Sequence, residues 1–300
     1  MTFSNALIGL LIFPGLLYAV PAAWFMEWMH RKITARMQRR IGPPFYQPFF
    51  DFVKLLAKEP VSRPRLQAFV MSALPLIAIA ATLGTIALLP VFPTGGFTGD
   101  LVLLVSLVEV APLCVVLSGF VSRSLFGGIG ASREAVLALA YNLPFLTALF
   151  ALVVGAGSFS LGAVATTPMW FVRVPALLAL LLTLPVKLHL NPFSAANAEQ
   201  EIYAGATTEY DGPRLALWEL AHALEWVALT GLWAVLAFPM LQAAWPLRVF
   251  VFVATSLALV VVLTAASAAT ARLKVAQIAR FYWLWGFGVA IIALVVALAR

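Results

Sequence analysis

Eight apolar runs, near residues 4–26, 67–89, 101–122, 134–154, 171–190, 214–238, 246–268 and 279–298, constrain this chain more than any other feature of it. Each is close to the ~20 helical residues that cross about 30 Å of hydrocarbon. Inside a bilayer no water is available to backbone N–H and C=O groups, so such runs satisfy them internally as helices. The expected fold is an all-α integral membrane protein: a single membrane domain over 1–300 with eight transmembrane helices. A composition of 63% hydrophobic and 10% charged residues excludes an ordinary soluble domain. The first run is too long for a signal-peptide core and lacks a preceding basic residue, so it is expected to stay as a helix.

The formal charge of +7 is concentrated in a few connections, which argues for membrane orientation rather than nucleic-acid binding. With eight spans, connections 27–66, 123–133, 191–213 and 269–278 lie on one side. Of the 19 basic residues, only Arg173, Arg248 and Arg300 fall on the other. Lysine and arginine accumulate on the cytoplasmic side of membrane proteins. Both termini are therefore expected outside the cytoplasmic (inner) membrane, with those four connections in the cytoplasm.

The first connection holds a further element. From Tyr46 to Glu59, Asp51, Lys54 and Lys58 recur at i, i+3 and i+7, while Phe49, Phe50, Phe52, Val53, Leu55 and Leu56 cover the remainder. This spacing predicts a short amphipathic helix, too short to span. One reading lays it on lipid headgroups through its lysines. The other makes it, with Arg36, Arg39 and Arg40 ahead of the Gly42-Pro43-Pro44 break, a docking platform for soluble subunits.

The stretch Arg36-Met37-Gln38-Arg39-Arg40-Ile41-Gly42-Pro43-Pro44, then Gln47-Pro48, Asp51 and Lys54-Leu55-Leu56-Ala57-Lys58-Glu59, resembles the first loop of the respiratory complex I subunit 1 family. That family includes the membrane anchors of energy-converting nickel–iron hydrogenases and of formate hydrogenlyase. Gly-Pro-Pro followed closely by Gln-Pro is similar to the hydrogenase branch, as is Gly130-Ala131-Ser132-Arg133-Glu134-Ala135. Asn191-Pro192-Phe193-Ser194 through Glu199, Glu201 and Thr208-Glu209-Tyr210-Asp211 is similar to the family's acidic loop. Ser194 and Asn197 stand where that loop commonly carries acids. The resemblance implies docking through Arg36, Arg39, Arg40, Asp51, Lys54, Lys58, Glu59, Arg133 and Glu134. It also implies an iron–sulfur small subunit, a large catalytic subunit on the cytoplasmic side and antiporter-like membrane subunits as partners. Iron–sulfur clusters and a nickel–iron centre would then reside in those partners.

A charge at the bilayer centre costs about 2.5–3.5 kcal/mol on insertion scales, so an intramembrane acid needs a partner, a wet cavity or a proton. Glu109 lies roughly 12 Å into the third run at 1.5 Å per residue. Glu219, His222 and Glu225 form one inclined stripe on the sixth. Read with Glu199, Glu201, Glu209 and Asp211 of the acidic loop, these residues outline a proton relay. The plainer reading pairs an acid with Lys187 or His189. Pro112 and Pro144 each free a helix carbonyl, the latter near Asn142.

Three function classes remain open: coupling subunit of a hydrogenase-like complex, quinone-chamber subunit lined by Trp24, Phe25, Trp28, Phe45 and Phe49, and stand-alone ion transporter. No inverted repeat supports the last. Cys114 is the one cysteine, and His30, His189 and His222 stand apart in sequence, so no metal or redox cofactor is expected in this chain. No catalytic residue is expected in it, nor nucleic acid as a partner.

Overall fold

The computed structural model describes residues 16–91, 100–197, 205–238 and 244–299. The chain is all-helical. We number its α-helices α1 (Leu16–Met37), α2 (Gln47–Leu56), α3 (Arg65–Leu88), α4 (Leu101–Val121), α5 (Leu125–Ala156), α6 (Leu161–Thr166) and α7 (Trp170–Lys187). A 3₁₀ turn, Gly205–Thr207, precedes α8 (Gly212–Ala237) and α9 (Trp245–Ala269). Finally α10 (Val275–Phe281) runs through a π turn, Tyr282–Gly286, into α11 (Phe287–Leu298). Among the described residues, seven helices are long and apolar enough to cross a membrane, α10 to α11 counting as one. The first expected run, 4–26, begins outside the described residues, and α1 continues to Met37, well past its expected end.

Helix ends follow local chemistry. Asp100 caps α4 by accepting from the Val102 amide at 3.0 Å. Proline opens α8 at Pro213, where its missing N–H costs nothing. Gly157, at φ +63°, ends α5 in the left-handed conformation that glycine adopts without a Cβ penalty.

One boundary differs by nine residues. The fourth run, expected to begin at 134, starts at Leu125, so the third connection shrinks to Ser122–Ser124. Gly127, Gly128 and Gly130 suggest a loop by propensity, since glycine is about 1 kcal/mol worse than alanine in a helix. Close approach outweighs that cost. A Cβ on Gly119 of α4 would stand 2.4 Å from the Gly127 carbonyl oxygen, and one on Gly130 would stand 2.5 Å from the Ala206 amide nitrogen. Glycine here lets α4, α5 and the 3₁₀ turn meet backbone to backbone, as small residues do where lipid supplies no hydrophobic drive between helices.

α8 is central and the most buried span, packed against α1, α3, α7 and α9. Trp218, Ala221, Leu224, Val227 and Ala228 are shielded on it. Buried hydroxyls return to their own helix: Thr183 donates to Leu180 O at 2.7 Å and Ser118 to Val115 O at 2.7 Å. α2 sits beside α1 and α8 with Pro48 buried, while Phe49, Phe50, Val53 and Leu56 are exposed.

Candidate functional site

Four helices bring ionisable side chains into the interior. Glu109 of α4 receives a hydrogen bond from Lys187 Nζ at the end of α7 (2.7 Å) and another from Asn142 Nδ2 of α5 (2.7 Å). Lys187 Nζ also reaches Asn142 Oδ1 at 3.4 Å. Its ammonium lies 4.6 Å and 4.4 Å from the ring centroids of Tyr141 and Phe145, a cation–π arrangement on a side chain only 2% exposed. Of the two partners the sequence offered, the structure assigns Lys187 to Glu109.

Beyond Lys187 lies a cavity lined by Thr82, Thr85, Pro112, Lys187 and Glu225, with about 20 Å³ of space for water centres. That is room for about one water. Glu225 Oε2 then stands 3.3 Å from His222 Nδ1. The His222 ring stacks on Trp218 at 5.9 Å and meets His189 edge-on at 5.4 Å. His189 Nδ1 in turn faces Glu134 Oε2 at 3.7 Å. Glu109, Lys187, Glu225, His222, His189 and Glu134 thus form one interior row, broken by gaps of about one water or less.

The row is not the one expected from sequence. Glu199 and Glu201 lie outside the described residues. Glu209 and Asp211 hold a neighbouring loop: Arg63 donates to Glu209 O at 2.6 Å and Oε2 at 3.3 Å, and the Val61 amide donates to Asp211 Oδ2. Arg214 pairs with Asp211 at 3.7 Å. Beside them burial pushes the Tyr210 phenol up to about 12, so this hydroxyl keeps its proton at neutral pH. Glu219 departs from the stripe. It lines a separate cavity of about 260 Å³ with Trp24, Glu27, Arg31, Asp51, Phe52 and Lys58.

Arg36, Arg39, Arg40, Lys54, Lys58 and Glu59 are exposed. Asp51 is engaged by Arg31 at 2.9 Å and Gln47 at 2.7 Å, and Arg31 also pairs with Glu27. Arg133 is half-buried and donates to Ala195 O at 3.3 Å. Glu134, expected at the docking face, is 3% exposed. The early start of α5 puts it inside the bundle, where it belongs to the interior row. Lys187, His189, Asn142 and Glu134 are the members that the sequence left outside its relay. The i, i+7, i+8 spacing of Glu134, Tyr141 and Asn142 on one helix face was the available signal. His189, His222 and Glu225 offer ligand atoms that all lie within 4.8 Å of one another.

Comparison with known proteins matches this architecture. NADH-quinone oxidoreductase subunit 8 of Thermus thermophilus is 29% identical over 98% of this chain and 87% of its own length. Hydrogenase-4 component C of Escherichia coli is 33% identical over 71% of this chain and 70% of its own. In the solved structure of an archaeal respiratory complex, the membrane-bound sulfane sulfur reductase, one chain superposes with a TM-score of 0.86 at 26% identity, covering 98% of this chain and 99% of that one. The family model for NADH dehydrogenase matches residues 10–298. With that match over almost the whole length, this multi-pass membrane chain belongs to the NADH dehydrogenase family, that of complex I subunit 1, whose relatives are subunits of multisubunit respiratory complexes.

Proposed function

We propose that this chain is the membrane anchor and coupling subunit of an energy-converting oxidoreductase complex of the nickel–iron hydrogenase type. On this reading it crosses the cytoplasmic membrane eight times with both termini outside. Its exposed Arg36, Arg39, Arg40, Lys54 and Lys58 face an iron–sulfur subunit and a large catalytic subunit that hold the metals. The carrying observation is the interior row from Glu134 through His222, Glu225 and Lys187 to Glu109. Ionisable groups in a membrane are costly, and groups linked by water and imidazole can pass protons without carrying a permanent charge through lipid. The redox partner's chemistry would then drive H⁺ or Na⁺ movement through antiporter-like neighbours.

The test is Glu225→Gln in the assembled complex, which keeps shape and hydrogen-bonding capacity but removes the titratable proton. Assembly should persist, redox turnover should continue, and ion pumping into vesicles should fall. Full pumping would overturn the relay.

A second reading has its own observation. The 260 Å³ cavity between α1, α2 and α8 combines Trp24 and Phe52 with Glu27, Arg31 and Asp51, a mixture that suits a quinone headgroup. Identifying the large subunit decides between them: two Cys-x-x-Cys pairs in it favour the hydrogenase.

A further inference from the structure

We propose that His189, His222 and Glu225, with Glu134 as a fourth ligand, form a binding site for a divalent transition-metal ion of the Zn²⁺ class. The ligand atoms of the first three lie within 4.8 Å of one another although they come from two different parts of the chain. Zn–N and Zn–O bonds of about 2.0–2.2 Å in tetrahedral geometry set ligands about 3.3 Å apart. His222 Nδ1 and Glu225 Oε2 are 3.3 Å apart, and His189 Nδ1 and Glu134 Oε2 are 3.7 Å apart. The first pair is hydrogen-bonded, while the second distance is too long for a hydrogen bond. It sits close to the edge of a ligand tetrahedron. His189, His222 and Glu225 already lie within 4.8 Å of one another, and Glu134, which approaches His189 alone at 3.7 Å, completes the set by turning its carboxylate toward the other two.

Charge supports the same assignment. Glu134 is 3% exposed and Glu225 is 9% exposed. Two carboxylates, two neutral imidazoles and one dication sum to zero, a state that tolerates burial far better than two bare anions. Imidazole with carboxylate suits Zn²⁺ and its neighbours rather than Mg²⁺ or Ca²⁺, which prefer all-oxygen sets. A way in exists, because the side chain of His222 is 26% exposed. Trp218, stacked on His222, fixes that ring from the other side. Binding does not rest on the relay reading. Its consequence does: an ion that takes the lone pairs of His222 and Glu225 holds two groups of the interior row.

The full chain in detergent, titrated with Zn²⁺ against a chromophoric chelator, should bind one ion. Zinc-edge X-ray absorption should show two imidazoles at about 2.0–2.1 Å. His189→Asn and His222→Asn should each weaken binding by at least about tenfold, the scale reached even by losses outside the ligand set. His30→Asn should leave it unchanged, since His30 is bonded to Thr264 at 3.0 Å, apart from the cluster. No imidazole in the absorption spectrum, or equal affinity in the two ligand variants and the unaltered chain, overturns the site. The spectrum of the unaltered protein decides alone if either variant fails to fold. Coupling lost in Glu225→Gln with no zinc bound by the unaltered chain would reject this site and leave the relay standing.

Discussion

Lys187 donates to Glu109 across 2.7 Å at the meeting of α7 and α4, and its side chain is 2% exposed. Removing one member of a buried ion pair leaves the other uncompensated, typically at a cost of about 3–5 kcal/mol, whereas replacing both with apolar groups is often neutral. Lys187→Met should therefore destabilise the protein by about 3 kcal/mol or more. Glu109→Leu combined with Lys187→Met should recover most of that loss. Thermal melting of Lys187→Met, Glu109→Leu and the double variant in one detergent measures the coupling, and strictly additive losses would show that the pair does not act as a unit.

Gly119 and Gly128 lie on neighbouring helices yet differ in surroundings. A Cβ at 119 meets the Gly127 carbonyl oxygen at 2.4 Å and the Ala131 Cβ at 2.7 Å, while one at 128 meets nothing within 4 Å. Gly119→Ala should cost about 1–3 kcal/mol through overpacking. Gly128→Ala should be neutral or stabilising by up to about 1 kcal/mol, since alanine loses less backbone freedom in a helix. Equal melting temperatures for the two variants would contradict the close crossing of α4 and α5.

Arg36 and Arg39 are exposed at the end of α1 and beyond it. If they meet a partner, Arg36→Glu with Arg39→Glu puts like charge where opposite charge steered association. The soluble subunits should then be recovered separately from membranes at physiological salt. Survival of the complex through that double reversal removes the docking assignment.

Cys114 is 4% exposed and packs in the core of α4. Serine in its place keeps the size but buries a hydroxyl, which a helical carbonyl four residues earlier can accept from. Cys114→Ser should leave the redox activity of the assembled complex intact, with a stability loss of about 1 kcal/mol or less. Abolished redox activity in an assembled variant would give this chain a redox role.

The sequence by itself determined that the chain is built of long apolar helices and where most of them lie. Apolar length decides that in hydrocarbon, because backbone groups have no partner other than their own helix. Runs expected at 67–89, 101–122, 214–238 and 246–268 match α3, α4, α8 and α9 within two residues at either end. It also marked Glu109, His222 and Glu225 as costly inside a membrane, a judgement that needs no neighbours. Only the tertiary structure decided what compensates them. Lys187 is one of two partners the sequence offers for an intramembrane acid, and the packing of α7 against α5 sets it on Glu109. Glu134 reads as surface because three glycines before it resemble a loop, and only the close approach of α4 and the 3₁₀ turn reveals why a helix keeps them. Periodicity places a residue on a face of its own helix, but which faces meet depends on shape and depth of packing between helices. That is how His189 and His222, 33 positions apart in the chain, come to place their ring nitrogens within 4.8 Å of each other and of a Glu225 carboxylate oxygen.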